Sequence, residues 1–326
     1  MQGRDWTMSI IFYLVVAFLA AFAVLVLYFV NATGRLAREA ERQVPATGQF
    51  VEVDGNRIHY REYGSGRPIL FIHGLGGQML HFPPPLLDAL KGDFRLIVLD
   101  RPGSGYSTRK DIDNGRLPQQ ADDIAGLIDT LKLEKPLLVG HSLGGMIALT
   151  VALNHPVKIS GLALLSPLTH GVGEAPQFAG LKIPSRTLRR IISQTIAVPL
   201  SARSADATMG FIFAPQKTPA DYMVAGGGWL GLRPSHFYAT STDFTAVELD
   251  IDKLSPRYGE IRLPVGILAG DRDQVLDTSQ QTLPMRDAIA GVDIEILPGV
   301  GHMPQFVEPG KTAAFIRRMA ARAFGG

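Results

Sequence analysis

Beyond residue 48 the apolar positions gather in short unbroken runs, each ended by glycine, proline or aspartate and each followed by a longer stretch of helical character. Runs 69–72, 94–99, 136–139, 159–165, 264–269 and 292–297 read as strands covered on both faces, since a strand open to water on one side would alternate. Stretches 121–131, 146–153, 283–290 and 312–324 read as helices between and after them. Ahead of these, 50–53 and 57–63 flank Asp54-Gly55, a two-residue hairpin turn signal. Strands that alternate with helices in this way build an α/β fold, a mostly parallel sheet with helices on both faces. No fixed-period repeat is visible.

Two segments depart from that rhythm. Residues 8–30 hold 23 consecutive positions without a charge, which at about 1.5 Å per residue is enough to cross a hydrocarbon core of about 30 Å. They predict a single N-terminal transmembrane anchor; a cleaved signal peptide, with Asn31-Ala32-Thr33 near its end, is the competing reading. Arg35, Arg38 and Arg42 follow the span, while Arg4 and Asp5 offset each other before it, so the positive-inside rule favours a cytoplasmic catalytic domain over a periplasmic or extracellular one. Residues 31–48 read as a polar, partly helical linker. The second departure is the distance between the strands at 159–165 and 264–269, too long for a connection and expected to hold a functional insertion over about 170–255. Its pieces include an amphipathic stretch at 186–196 and a glycine-rich segment, 226–232, that could serve as a hinge. The partition expected is therefore 1–30 anchor, 31–48 linker, 49–169 with 256–326 core, and 170–255 insertion.

With 326 residues, 46% hydrophobic and 19% charged, the chain can bury a sizeable core. A net charge of +2 with dispersed basic residues gives no nucleic-acid footprint. The absence of cysteine excludes disulfides, thiolate metal sites and a cysteine nucleophile. No His or carboxylate cluster has metal-ligand spacing, and neither a metal nor another cofactor is expected; the partners expected are a small molecule and, through residues 8–30, a membrane.

The candidate chemistry lies at strand ends. Ser142 stands in Gly140-His141-Ser142-Leu143-Gly144, between the run 136–139 and the helix at 146–153. A serine forced into so sharp a turn holds its hydroxyl clear of the sheet, and glycines two residues either side remove side chains that would clash. Leu143 opens the helix, so its N–H is free to stabilise a developing oxyanion. The run 69–72 ends in His73-Gly74-Leu75-Gly76-Gly77, where Leu75 N–H is the candidate second donor. Met79 stands where a dinucleotide fingerprint starting at Gly74 would need glycine. A serine nucleophile also needs a base and a carboxylate that orients it. The run 264–269 ends in Gly270-Asp271-Arg272-Asp273, with Asp273 the candidate carboxylate and Asp271 the alternative. The run 292–297 leads to Gly301-His302, with His302 the base. The order Ser142, Asp273, His302 is the α/β-hydrolase order of the triad.

With these motifs in place the chain resembles the α/β-hydrolase superfamily, in its capped branch with a serine nucleophile. The resemblance runs from about Gln49 to the C-terminus and rests on HGLGG, the DRPGSGYS loop at 100–107, GHSLGG, GDRD and VGHMPQ. It implies that the insertion is a helical cap over the active site. Epoxide hydrolases and haloalkane dehalogenases share the loops but attack with aspartate, where this chain has Ser142. Serine suits acyl transfer, so a membrane-anchored serine esterase or lipase-like enzyme acting on a hydrophobic ester is expected. Carbon–carbon hydrolases and cofactor-free perhydrolases or haloperoxidases share the triad, and a non-catalytic ligand-binding receptor is a third reading. Candidates for the pocket wall are His73, Gly74 and His141 beside the nucleophile, and Trp229 and Phe237 from the insertion, whose Phe211, Phe213 and Tyr238 are also aromatic.

Overall fold

The computed structural model describes residues 2–173 and 176–325; Met1, Gly326 and, within the expected insertion, Glu174 and Ala175 lie outside them. Helix α1 (Gln2–Gln43) precedes an eight-stranded sheet: β1 (Gln49–Val53), β2 (Asn56–Tyr63), β3 (Arg67–Ile72), β4 (Phe94–Leu99), β5 (Leu137–His141), β6 (Gly161–Leu165), β7 (Val265–Gly270) and β8 (Asp293–Leu297). Helices α2 (Pro84–Leu90), α3 (Leu117–Thr130) and α4 (Leu143–Asn154) alternate with the strands; α5 (Arg186–Gln194), α6 (Ala197–Phe213), α7 (Tyr222–Ala225) and α8 (Pro234–Leu254) fill the insertion; α9 (Thr278–Gln281), α10 (Met285–Ala288), α11 (Pro304–Val307) and α12 (Pro309–Phe324) complete the core.

The strands lie in the order β1-β2-β4-β3-β5-β6-β7-β8. The β1–β2 hairpin and the β2–β4 pair are antiparallel and every pair from β4 to β8 is parallel. Asp54 and Gly55, both at positive φ, make the tight turn. Strands β3, β5, β6 and β7 are buried almost throughout, as their unbroken apolar runs require, with α3 and α4 over one face and α2 and α12 over the other. The chain leaves β3 towards β4 on one side and, later, β5 towards β6 on the other. The loops after β3 and β5 therefore part at their carboxyl ends, and that divergence opens a crevice between them.

Two expected elements differ. The helix expected at 283–290 is shortened to the single turn α10, because Pro284 restricts the residue before it and stands at its N-cap, and the chain is already extended at Ile289. The expected linker is helix as far as Gln43: no proline interrupts α1 before Pro45, and Glu39 pairs with Arg42 and Gln43 one turn on. Its last turns lie against the insertion, with Ala40 and Val44 buried, Thr33 Oγ1 donating to Thr195 O at 2.6 Å and Tyr106 OH donating to Val44 O at 2.6 Å. The preceding part of α1 is long and apolar enough to cross a membrane, and its side chains from Met8 to Val30 are almost all exposed.

Candidate active site

Ser142 caps α4 with φ 53° and ψ −120°, a region that non-glycine residues occupy only under constraint. The constraint is visible in its backbone. Ser142 N donates to Leu165 O at 3.1 Å, and Ser142 O accepts from Gly145 N and Leu168 N at 2.9 and 3.0 Å. A Cβ at Gly144 would lie 2.1 Å from Ile72 O, and one at Gly140 would lie 2.5 Å from Gly144 O, so both glycines are required by space. Gly74 lets the neighbouring loop close in: its Cβ would come within 2.9 Å of Ser142 Cβ.

Beside the elbow, His302 Nδ1 lies 2.7 Å from Asp273 Oδ2, and both side chains are buried. The other oxygen, Oδ1, accepts from Val275 N and Leu276 N at 2.8 and 2.9 Å, which fixes the carboxylate. Asp271 is spent elsewhere, its Oδ1 accepting from Gly299 N at 2.6 Å to tie the two loops together. His141 Nε2 donates to His302 O at 3.0 Å, holding the backbone of the histidine loop. Ser142 and His302 both border one chamber, and among the described residues Ser142 Oγ makes no hydrogen bond. The N–H groups of Leu75 and Leu143 likewise have no acceptor among the described residues.

The chamber has a volume of about 760 Å³ and lies between the carboxyl edge of the sheet and the insertion. Its wall is mainly apolar, with Leu168, Phe178, Ile212, Phe244, Val247 and Leu276, and Lys182, Glu248 and Asp252 supply its charge, the first two paired at 2.8 Å. Of the expected wall residues, Gly74 and His141 border it. His73 does not: it is buried behind the loop, donating through Nδ1 to Gly74 O at 2.8 Å and accepting through Nε2 from Arg101 N at 3.0 Å. Trp229 and Phe237 also lie away from the chamber, because the insertion turns them elsewhere. Phe237 borders a smaller cavity near α6, and Trp229 sits half-buried in the 3₁₀ turn Gly228–Leu232, which packs on α1. Phe211 packs on Phe178, Phe213 on Tyr222 and Phe306, and Tyr238 donates to Asp113, so none of the three borders the chamber. The glycine segment is packed, with Gln78 Nε2 donating to Gly226 O at 2.6 Å and filling the space beside Gly227.

Two residues that the sequence reading passed over matter here. Arg101, fully buried, donates through Nε and Nη2 to the carbonyls of His73 and Gly74 and through Nη1 to Asp243 of α8, so one guanidinium fastens the Leu75 loop to the insertion. His81 borders the chamber, with Tyr222 OH 2.8 Å from its Nε2. Burial lowers the His81 imidazole to about 3 and that of His236, which donates to Gly76 O at 3.0 Å, to about 4. Burial also pushes His73 and His141 well below the usual imidazole value, so four neutral histidines surround the loop. Their neighbours in sequence give no sign of this, since only tertiary packing buries them.

The strand order, the serine elbow at the end of β5 and the chamber above it define an α/β-hydrolase scaffold. The chain belongs to that family, whose sequence model for the alpha/beta hydrolase fold matches residues 67–309, and hydrolysis is the coarse class of its reaction. It is 37% identical over 139 residues to the dihydrolipoyllysine-residue acetyltransferase component of the acetoin cleaving system of Cupriavidus necator, covering 41% of this chain and only 35% of that one. The 2-hydroxy-6-oxononadienedioate/2-hydroxy-6-oxononatrienedioate hydrolase of Comamonas testosteroni is 26% identical over 279 residues, 82% of this chain and 94% of its own length. Among solved structures, a membrane phospholipase A described as a bacterial virulence factor superposes with a TM-score of 0.70 at 24% identity, over 97% of this chain and 99% of that one, a likeness of fold.

Proposed function

We propose that the chain is a membrane-anchored serine hydrolase that cleaves the ester of a hydrophobic small molecule. The carrying observation is the strained Ser142 at an apolar chamber shared with His302, whose far nitrogen lies 2.7 Å from a carboxylate held by two backbone amides. In this reading His302 Nε2 takes the proton of Ser142 as Oγ attacks the carbonyl, and Asp273 orients the imidazole. The N–H groups of Leu75 and Leu143 receive the oxyanion. The tetrahedral intermediate then expels the alcohol, protonated by His302, and water activated by the same histidine releases the acid. A chamber of this size suits a ligand of moderate bulk, and its wall favours an acyl chain over a polar one.

The full-length relative from Comamonas testosteroni favours carbon–carbon bond hydrolysis as a second reading, since the two chains align over most of both lengths. A fluorophosphonate probe applied to the full chain in detergent, followed by peptide mapping and a nitrophenyl ester series of rising acyl length, tests the proposal. An adduct on Ser142, absent from Ser142→Ala, with turnover that rises with acyl length, is expected. An adduct without ester turnover points to the carbon–carbon reading, and folded protein without an adduct refutes the serine mechanism.

A further inference from the structure

Helix α5 buries part of its polar face and leaves part of its apolar face outward. Its polar residues Arg189 and Ser193 are 4% and 1% exposed, and Arg189 is satisfied internally by Ser241 Oγ, Thr242 Oγ1 and Ile183 O. Leu188 and Ile191, three residues apart and so on one face, are 49% and 55% exposed. The apolar surface continues past the end of the helix through Ile196 and Leu200, 37% and 56% exposed. A helix that satisfies one arginine inside the domain and leaves leucine and isoleucine outward, between the exposed Arg186 and Arg190, suits an outer medium that is apolar beside a polar boundary.

The place of this corner in the fold says what that medium is. Thr33 of α1 donates to Thr195 O, the residue between Ile191 and Ile196, and α1 packs on both α5 and α6. Thr33 lies three residues past Val30, the end of the apolar run, which is about 4.5 Å along the helix axis. The corner therefore stands at the depth where an interfacial helix buries its apolar face, about 5–10 Å into the headgroup and acyl boundary. Exposed Arg35, Arg190 and Arg203 flank it, with Asp206 the acidic residue one turn further along α6, a balance suited to lipid phosphates.

We propose that the outward face of the α5–α6 corner, Leu188, Ile191, Ile196 and Leu200, is seated in the bilayer interface beside α1, so that the insertion, as well as the anchor, is a membrane-binding element. This rests on the reading of α1 as a membrane span, and the experiment separates the two.

The chain has no cysteine, so single labels are specific. Ile191→Cys and Leu200→Cys in the full chain, each carrying an environment-sensitive nitrobenzoxadiazole dye, are reconstituted in phosphatidylcholine–phosphatidylglycerol vesicles with and without brominated acyl chains. Leu19→Cys reports the anchor, and Val157→Cys, 76% exposed at the end of α4 far from Ser142, reports a surface in water. Blue-shifted emission and bromine quenching are expected at 191, 200 and 19, and neither at 157. Quenching at 19 with 191 and 200 behaving like 157 overturns the proposal and leaves the anchor standing. A blue shift at 191 and 200 without bromine quenching means that a second protein copy covers the corner and overturns it too. An unquenched label at 19 removes the span and the proposal with it.

Discussion

Lowering the pH from 8 to 5 should destabilise this protein through the histidines around the Leu75 loop. An imidazole in the unfolded chain titrates near 6.5, whereas burial holds His81 at about 3 and His236 at about 4 in the fold. Both are lowered, so between pH 6.5 and these values the unfolded state binds more protons, and stability present above pH 6.5 is lost as pH falls. At pH 5, about 1.5 units below the unfolded value, each group costs about 2 kcal/mol, and the pair costs about 4 kcal/mol. His73 and His141, shifted the same way, add to the loss. Carboxylates elsewhere also respond to acid, so the measurement is a difference. Urea unfolding of the full chain in detergent at pH 8 and pH 5 is compared with His236→Gln, which keeps an N–H for Gly76 O, and His81→Gln, which keeps an acceptor for Tyr222 OH. Each variant should lose about 2 kcal/mol less than the parent over that interval, whatever its stability at pH 8. Equal losses in parent and variants would refute the reasoning.

Asp273→Asn should lower kcat by about 10⁴, because an uncharged partner leaves the imidazole in the wrong tautomer, whereas Asp271→Asn should cost about 1 kcal/mol of stability with little change in kcat. Steady-state ester turnover and thermal unfolding of both variants check this; the reverse pattern reassigns the acid. Gly144→Ala should abolish turnover, since its Cβ would lie 2.1 Å from Ile72 O and can be accommodated only by displacing the elbow; probe labelling of folded variant protein reads it. Deleting residues 1–30 should leave a folded, soluble enzyme, while deletion through residue 45 also strips Val44, the Thr33–Thr195 bond and the Tyr106–Val44 bond, costing roughly 4 kcal/mol by denaturant unfolding.

The residues legible in advance share one property: their signal is local. Ser142, Asp273 and His302 each stand where an apolar run meets glycines, and strand ends in a parallel sheet converge on one edge whatever the packing of the helices around them. Gly140 and Gly144 were legible for the same reason, since the clash they avoid involves the elbow and the strand beside it. Arg101 stands in the DRPGSGYS loop with no local sign of its role, which exists only because the end of β4 meets both the Leu75 loop and Asp243 of α8, 142 residues from it. The chamber wall was misread on similar grounds: Trp229 and Phe237 are as aromatic as Phe178 and Phe244, and only the packing of α6, α8 and the 3₁₀ turn decides which of them face the serine.

Helix α5 shows why such packing choices escape a reading of periodicity. The spacing of Leu188, Ile191 and Ile192 against Arg189, Arg190 and Ser193 establishes two faces but carries no sign, because it does not say which face meets the domain. The usual assignment, apolar side inward, presumes water outside. Here Ser241 and Thr242 of α8 and the Ile183 carbonyl offer Arg189 three acceptors inside the domain, so the guanidinium is buried without being left unsatisfied. The leucine and isoleucine are then left outward, against whatever medium α1 brings with it. A segment packed on a helix long and apolar enough to cross a membrane must be read against two solvents, and in α5 the hydrogen-bond partners of Arg189 decide which part of the polar face turns inward.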